Sequence, residues 1–215
     1  MRRLAALVLL ALAAAAGPAP AQSVAGRFDY YVLALSWSPA YCARAGARDR
    51  DPLQCGGVPR GLVVHGLWPQ HERGYPRDCP SNLAKAVPAG LVERHLDLMP
   101  SRSLIQHEWR AHGLCSGLSQ AAYFAAVRSF RAKLRTPPAL APGARAGVTA
   151  AQIRQAFVAA NPGLPARAVS LQCERDRFTE ARVCFTKAGA FRACGGDMRD
   201  RCGGSPLTLA ARGAP

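Results

Sequence analysis

After its first twenty-one residues the sequence has no run apolar enough to cross a bilayer, which excludes a further membrane-spanning helix. It contains no C-x-x-C pair, so zinc-ribbon and thioredoxin-type sites lack their spacing. G-x-S-x-G and the P-loop pattern are also absent, which removes the motif for a serine esterase and the one for phosphate-loop nucleotide hydrolysis. No internal repeat is present. Acidic residues are scarce: 13 Asp and Glu stand against 28 Lys and Arg, leaving a net charge of +15, or +13 without Arg2 and Arg3. Only three of those cations are lysine, which together with abundant alanine reads as a GC-rich coding bias. A basic domain favours polyanionic partners, either nucleic acid or an acidic cell envelope, and charge alone does not choose between them.

The amino terminus places the chain in the export pathway. Met1-Arg2-Arg3 is followed by an apolar run from Leu4 to Ala16 and by Ala19-Pro20-Ala21, the small-x-small pattern of a cleavage site. We read 1–21 as a signal peptide and 22–215 as a single folded domain, periplasmic or secreted. Eight cysteines (42, 55, 79, 115, 173, 184, 194 and 202) all fall in that domain, and in an oxidising compartment they form four disulfides. Spacing leaves their connectivity open.

Strand-like segments occupy both ends of the domain and helical ones its middle. Phe28 to Ser36 reads as a strand, 43–60 as loop, and GLVVHGLWPQ as a short strand ending near His65 before a Trp-Pro turn. Helical patterns run from Ala89 to Leu98, Ser103 to Cys115, Ser119 to Leu134 and Thr149 to Ala160, with Ser119 and Thr149 as N-caps. A Pro/Gly/Ala linker covers 135–147. Strands return at Ala168 to Cys173, Ala181 to Lys187 and Phe191 to Cys194, and the tail after Gly203 reads as loose. This order predicts an α+β fold, a central antiparallel β-sheet with helices packed on it.

HEWRAHGLC, His107 to Cys115, nearly spells the zinc-protease motif H-E-x-x-H, but its second histidine comes five residues after the first. At about 100° per residue His107 and His112 sit ~140° apart on a helix, too far round to share one zinc. The same spacing sets Glu108 one turn below His112, an arrangement for tuned acid–base work rather than for a metal. No metal or other cofactor is expected. A second proton-transfer group is required, and His65 in HGLWPQ is the candidate. Four of the five histidines lie within HGLWPQH and HEWRAH, while His71 and His95 read as surface residues. Two histidines on separate elements suit in-line transfer at phosphorus, and RNA carries its own nucleophile, the 2′-OH.

HGLWP and HEWRAHGLC resemble the two active-site segments of the ribonuclease T2 family, and the upstream W-S-P-x-x-C agrees. The resemblance implies an α+β endoribonuclease that acts on single-stranded RNA through a 2′,3′-cyclic phosphate with low base specificity. It needs no cofactor or membrane anchor and works as a monomer. His112 would be the general base, His65 the general acid, Glu108 the support of the phosphorane and of His112, and His107 a phosphate ligand. Trp68 and Tyr75 would pack against bases, whereas Trp109 reads as a core anchor. By the same resemblance the pairs are Cys42–Cys55, Cys79–Cys115, Cys173–Cys202 and Cys184–Cys194. Two rival readings are an RNA- or envelope-binding family member with weak catalysis, and a metalloenzyme using His107, Glu108 and His112.

One departure stands out: the family pattern has lysine where this chain has Ala111. Loss of one preorganised charge costs about 100-fold in rate unless another cation supplies it. Arg110 is adjacent but faces elsewhere on the helix. Ala111→Lys is expected to change kcat more than KM, measured by steady-state kinetics on RNA. Unchanged kinetics would show that the charge is already provided.

Overall fold

The apolar run after Phe28 becomes a central strand, β1 (Tyr30–Trp37), in a computed structural model that describes residues 23–44, 50–57, 60–140 and 147–209. The leader 1–21 lies outside the described residues. β1 is buried on both faces, as an aromatic and aliphatic segment with few polar interruptions should be. It pairs with β2 (Leu62–Gln70) on one side and β4 (Arg177–Phe185) on the other, and β3 (Val169–Glu174) completes an antiparallel sheet of order β2-β1-β4-β3.

The two faces of the sheet differ in kind. Tyr31, Leu33, Leu35 and Trp37 join the main core, which takes in Phe178, Ala181, Val183 and Phe185 of β4. The opposite face carries Tyr30, Val32, Ala34, Trp68 and Cys184, a second and smaller apolar cluster. By strand alternation Glu180 and Arg182 belong to this second face, since they oppose Ser36 and Ala34. The main core is covered by α5 (Gln120–Ala132) and α6 (Ala150–Ala160) through Tyr123, Phe124, Val127, Ile153 and Phe157. Ser119 and Thr149 cap these helices as expected, Thr149 in a reciprocal capping box with Gln152.

A bulge in β2 decides where the first histidine goes. Pairing runs Ala34↔Gly66 and then Leu35↔Val64, so His65 is the extra residue. Uninterrupted register would have set His65 opposite Leu35, pointing into the main core. The bulge gives that inward place to Val64, which is fully buried there, and releases His65 toward the Trp68 face.

Several boundaries differ from the sequence expectation. β2 does not stop at His65; it continues through Trp68 and Pro69 to Gln70. Pro69 is tolerated because β2 is an edge strand, where a missing N–H need break no ladder. The expected loop 43–60 is entered by a helix, α1 (Ser38–Arg44), and holds a one-turn helix, α2 (Pro52–Cys55). Residues 45–49 and 58–59 of it lie outside the described residues. β4 starts earlier than expected, and Phe191 makes only a single bridge to Phe185 rather than a strand. The regular part of the helix expected over 89–98 is α3 (Ala89–Glu93). His95 is buried, not superficial: it is 6% exposed, its Nδ1 lies 2.9 Å from the Leu91 carbonyl and its ring packs on Phe124. The tail beyond Gly203 is anchored as far as Leu209, because Leu207 and Leu209 are buried and Leu207 hydrogen-bonds Val148.

The stretch 135–140 does not divide the chain into two domains. Asn161 bonds the backbone of Arg135 in both directions, and Leu140 is buried in the main core; 141–146 lie outside the described residues. Disulfides join Cys42 to Cys55, Cys79 to Cys115, Cys173 to Cys202 and Cys184 to Cys194, the pairings that the resemblance implies. Among the described residues no helix is long and apolar enough to cross a membrane.

Candidate active site

The site forms where α4 (Arg102–Ala111) packs across β2. Ser101 caps α4 by accepting a hydrogen bond from the Leu104 N–H, and Trp109, fully buried, anchors it by donating from Nε1 to the Ala84 carbonyl. That anchor turns Glu108 inward, to 1% exposure, while Arg110 stays in solvent. The regular helix ends at Ala111, so His112 is its C-cap (φ −128°) and steps off the helical projection. Cys115 follows in a 3₁₀ turn, Gly113–Ser116, and its disulfide to Cys79 ties this end of α4 to the loop after β2.

Glu108 is shared among three partners. Its Oε2 accepts a hydrogen bond from Trp68 Nε1 at 2.7 Å and lies 4.0 Å from His112 Nε2, while Oε1 lies 3.6 Å from His65 Nε2. The Trp68 ring packs against both histidines, its centroid 5.2 Å from each. Tyr123, buried in α5, donates its hydroxyl to the Leu67 carbonyl and steadies β2 beside Trp68. Gly66 makes the packing possible: a Cβ there would lie 1.9 Å from Glu108 Oε2 and 2.4 Å from Trp68 Nε1.

The two histidines are driven toward opposite protonation states. Burial disfavours the imidazolium of His65, but the hydrogen bond and charge of Glu180 and the charge of Glu108 outweigh it, so its pKa rises. Burial pushes His112 down to about 4, and the neighbouring His107 and His65 add to the fall. Glu108 is pushed up to about 7 by its own burial, against the opposing pull of His65 and the Trp68 hydrogen bond. Glu108 therefore does not hold His112 in its charged form: Glu108 lies nearer His65, and desolvation governs His112.

Two cavities open on either side of this group. One, of about 550 Å³, is lined by His65, His107, Glu180, Arg182, Ser36 and Gln172 among others. The other, of about 360 Å³, takes in Trp68, Gln70, Tyr75, His112, Arg182 and Arg201. Arg182 borders both. Of the residues singled out from sequence, His65, Trp68, Glu108 and His112 come together directly. His107 is exposed on the rim of the larger cavity, and Tyr75, 44% exposed with the Arg77 guanidinium over its ring, stands at the mouth of the smaller. Trp68 is a less open platform than expected, since it is only 9% exposed and Arg182 lies 5.0 Å over its ring.

Sequence reasoning missed Glu180 and Arg182. Glu180 Oε2 lies 2.6 Å from His65 Nδ1, and Arg182 Nε donates to Glu180 Oε1 at 2.7 Å. The alternation in EARVCF, polar outward and apolar inward, carries the signal, but a strand beginning at Ala181 cuts Glu180 off. No group of three or more His, Cys, Asp or Glu among the described residues is placed to hold a metal ion.

Comparison with known proteins places this arrangement. The sequence model of the Ribonuclease T2 family matches residues 28–194. A ribonuclease of Aeromonas hydrophila is 42% identical over 155 residues, 72% of this chain and 63% of its own length. A probable ribonuclease of Haemophilus influenzae is 38% identical over 128 residues, 54% of this chain and 47% of its own. The chain thus spans about half to two thirds of these two curated relatives. Among solved structures, RNase NT in complex with 5′-AMP superposes with a TM-score of 0.68 at 25% identity, covering 85% of this chain and 98% of that one.

Gly66→Ala is expected to destabilise the fold by about 1–3 kcal/mol, because the new methyl must displace the Glu108 carboxylate or the Trp68 ring. Chemical denaturation would measure the loss, and the Trp68 indole N–H resonance should shift with it. Parental stability with an unmoved resonance would contradict the packing described.

Proposed function

The chain belongs to the ribonuclease T2 family, and on that premise we propose that it is an endoribonuclease that cleaves single-stranded RNA by transesterification, without a metal ion. The observation that carries the reading is that two histidines from separate elements, His65 and His112, both pack on Trp68 and lie beside the Glu108 carboxylate, with His65 shifted toward its charged form and His112 toward its neutral one. Neutral His112 takes the proton of the 2′-OH. The 2′-oxygen attacks phosphorus, and the bond to the 5′-oxygen breaks. Protonated His65 gives its proton to that leaving oxygen. The products are a 2′,3′-cyclic phosphate and a 5′-hydroxyl end, and solvent resets the two rings.

Glu108 lies between the histidines and keeps a negative counterweight beside the acid before reaction. In molecules where it carries a proton taken up from solvent it is instead a hydrogen-bond donor for a phosphoryl oxygen, and a carboxyl pushed up to about 7 suits both states. His107 approaches the phosphate from the rim of the larger cavity. The base on the 2′-OH side enters the smaller cavity, against Trp68 and Tyr75, and the base on the leaving side enters the larger. Stacking surfaces accept any base, which fits low base specificity. The net positive charge draws a polyanion from solution. Four disulfides suit an exported protein, periplasmic or secreted.

Pure protein incubated with RNA should cleave it with EDTA present, and both His65→Ala and His112→Ala should lose at least about 100-fold in kcat. DNA, lacking the 2′-OH, should stay intact. Absence of cleavage would favour an RNA-binding role, and cleavage abolished by EDTA a metalloenzyme.

A further inference from the structure

His65 needs one ring nitrogen free for the substrate and the other held. Glu108 Oε1, at 3.6 Å from Nε2, is too distant to hold it by a hydrogen bond. Glu180 Oε2, at 2.6 Å from Nδ1, is well within range. Glu180 is itself 7% exposed and fully engaged: Oε1 accepts from Arg182 Nε at 2.7 Å, and Ser36 Oγ donates to Oε2 at 3.4 Å. The backbone aims it there. Pairing of β3 with β4 jumps from Gln172↔Glu180 to Cys173↔Phe178, so Thr179 is a bulged residue and Glu180 shares a face with Arg182, opposite Ser36.

We propose that Glu180 is the positioning residue of the general acid, accepting Nδ1–H so that Nε2 of His65 faces the scissile phosphate, with Arg182 holding Glu180 in place. The proposal rests on the reading of His65 as the acid. Charge around His65 comes from three directions: Glu180 and Arg182 on β4, Glu108 on α4, and His112 at the end of α4. Burial would neutralise Glu180, but its hydrogen bond and ion pair with His65 and its contacts to Arg182 outweigh that, so its pKa falls and it stays ionised. An ionised partner on Nδ1 sets the tautomer and keeps the imidazolium available for donation. A purely structural ion pair would also satisfy the strand, but it would leave the pH dependence of the reaction where it was.

Glu180→Gln keeps the shape and removes the charge. On RNA it should lower kcat by about 10- to 100-fold, with KM within about threefold. The alkaline limb of the kcat/KM profile should move to lower pH, because His65 loses its proton earlier without the carboxylate. A parental kcat and limb in the variant, or a lower kcat with an unmoved limb, would overturn the proposal. A second measurement needs neither catalysis nor a folded variant: proton NMR of the parent protein should show a downfield His65 Nδ1–H resonance. An unprotonated Nδ1 would overturn the proposal even if RNA is cleaved. If RNA is not cleaved, the resonance still decides the positioning while the functional reading fails separately.

Discussion

Burial of one carboxylate organises this molecule. Taking an ionised group to 1% exposure costs several kcal/mol unless partners compensate. Glu108 is compensated in part by a hydrogen bond from Trp68 and by the charge of His65, both on β2, with His112 alongside at the end of α4. The β2 partners, Trp68 and His65, lie 40 and 43 residues before Glu108, so satisfying Glu108 fixes how α4 lies against the sheet. Gly66 clears the space, Trp109 sets the roll of the helix, and the Cys79–Cys115 bridge fixes its far end.

The same burial separates the histidines chemically. His112, with no hydrogen-bonded carboxylate on its ring, responds to desolvation and to nearby positive charge and stays neutral. His65, also partly buried, has Glu180 on one nitrogen and Glu108 facing the other, and its pKa rises instead. Two side chains of one kind are thus shifted in opposite directions by their surroundings. Arg182 adds a cation to the site: it lies over Trp68 and borders both cavities.

Much of this was legible in the sequence, for specific reasons. HGLWPQ and HEWRAH marked the side chains that meet at the site, capping residues marked α5 and α6, and aromatic and apolar runs marked the strands. What failed depended on register. LVVHGLW is apolar almost throughout and carries no alternation that would betray a bulge at His65 or a strand running on to Gln70. Helical projection placed His112 and Cys115 on the face of α4, although the helix ends one residue before His112. Glu180 was lost with the strand boundary, since its role appears only once β4 pairs with β1. His95 misled because a polar side chain buries well when a carbonyl of its own helical turn takes its ring nitrogen.

The catalytic reading requires one charged and one neutral histidine in the resting site. Residue-resolved NMR titration of the imidazole rings in the unliganded protein tests it most directly. His65 should titrate above the ordinary histidine value of about 6.5 and His112 well below it. Near-coincident titrations, or the reverse order, would contradict it.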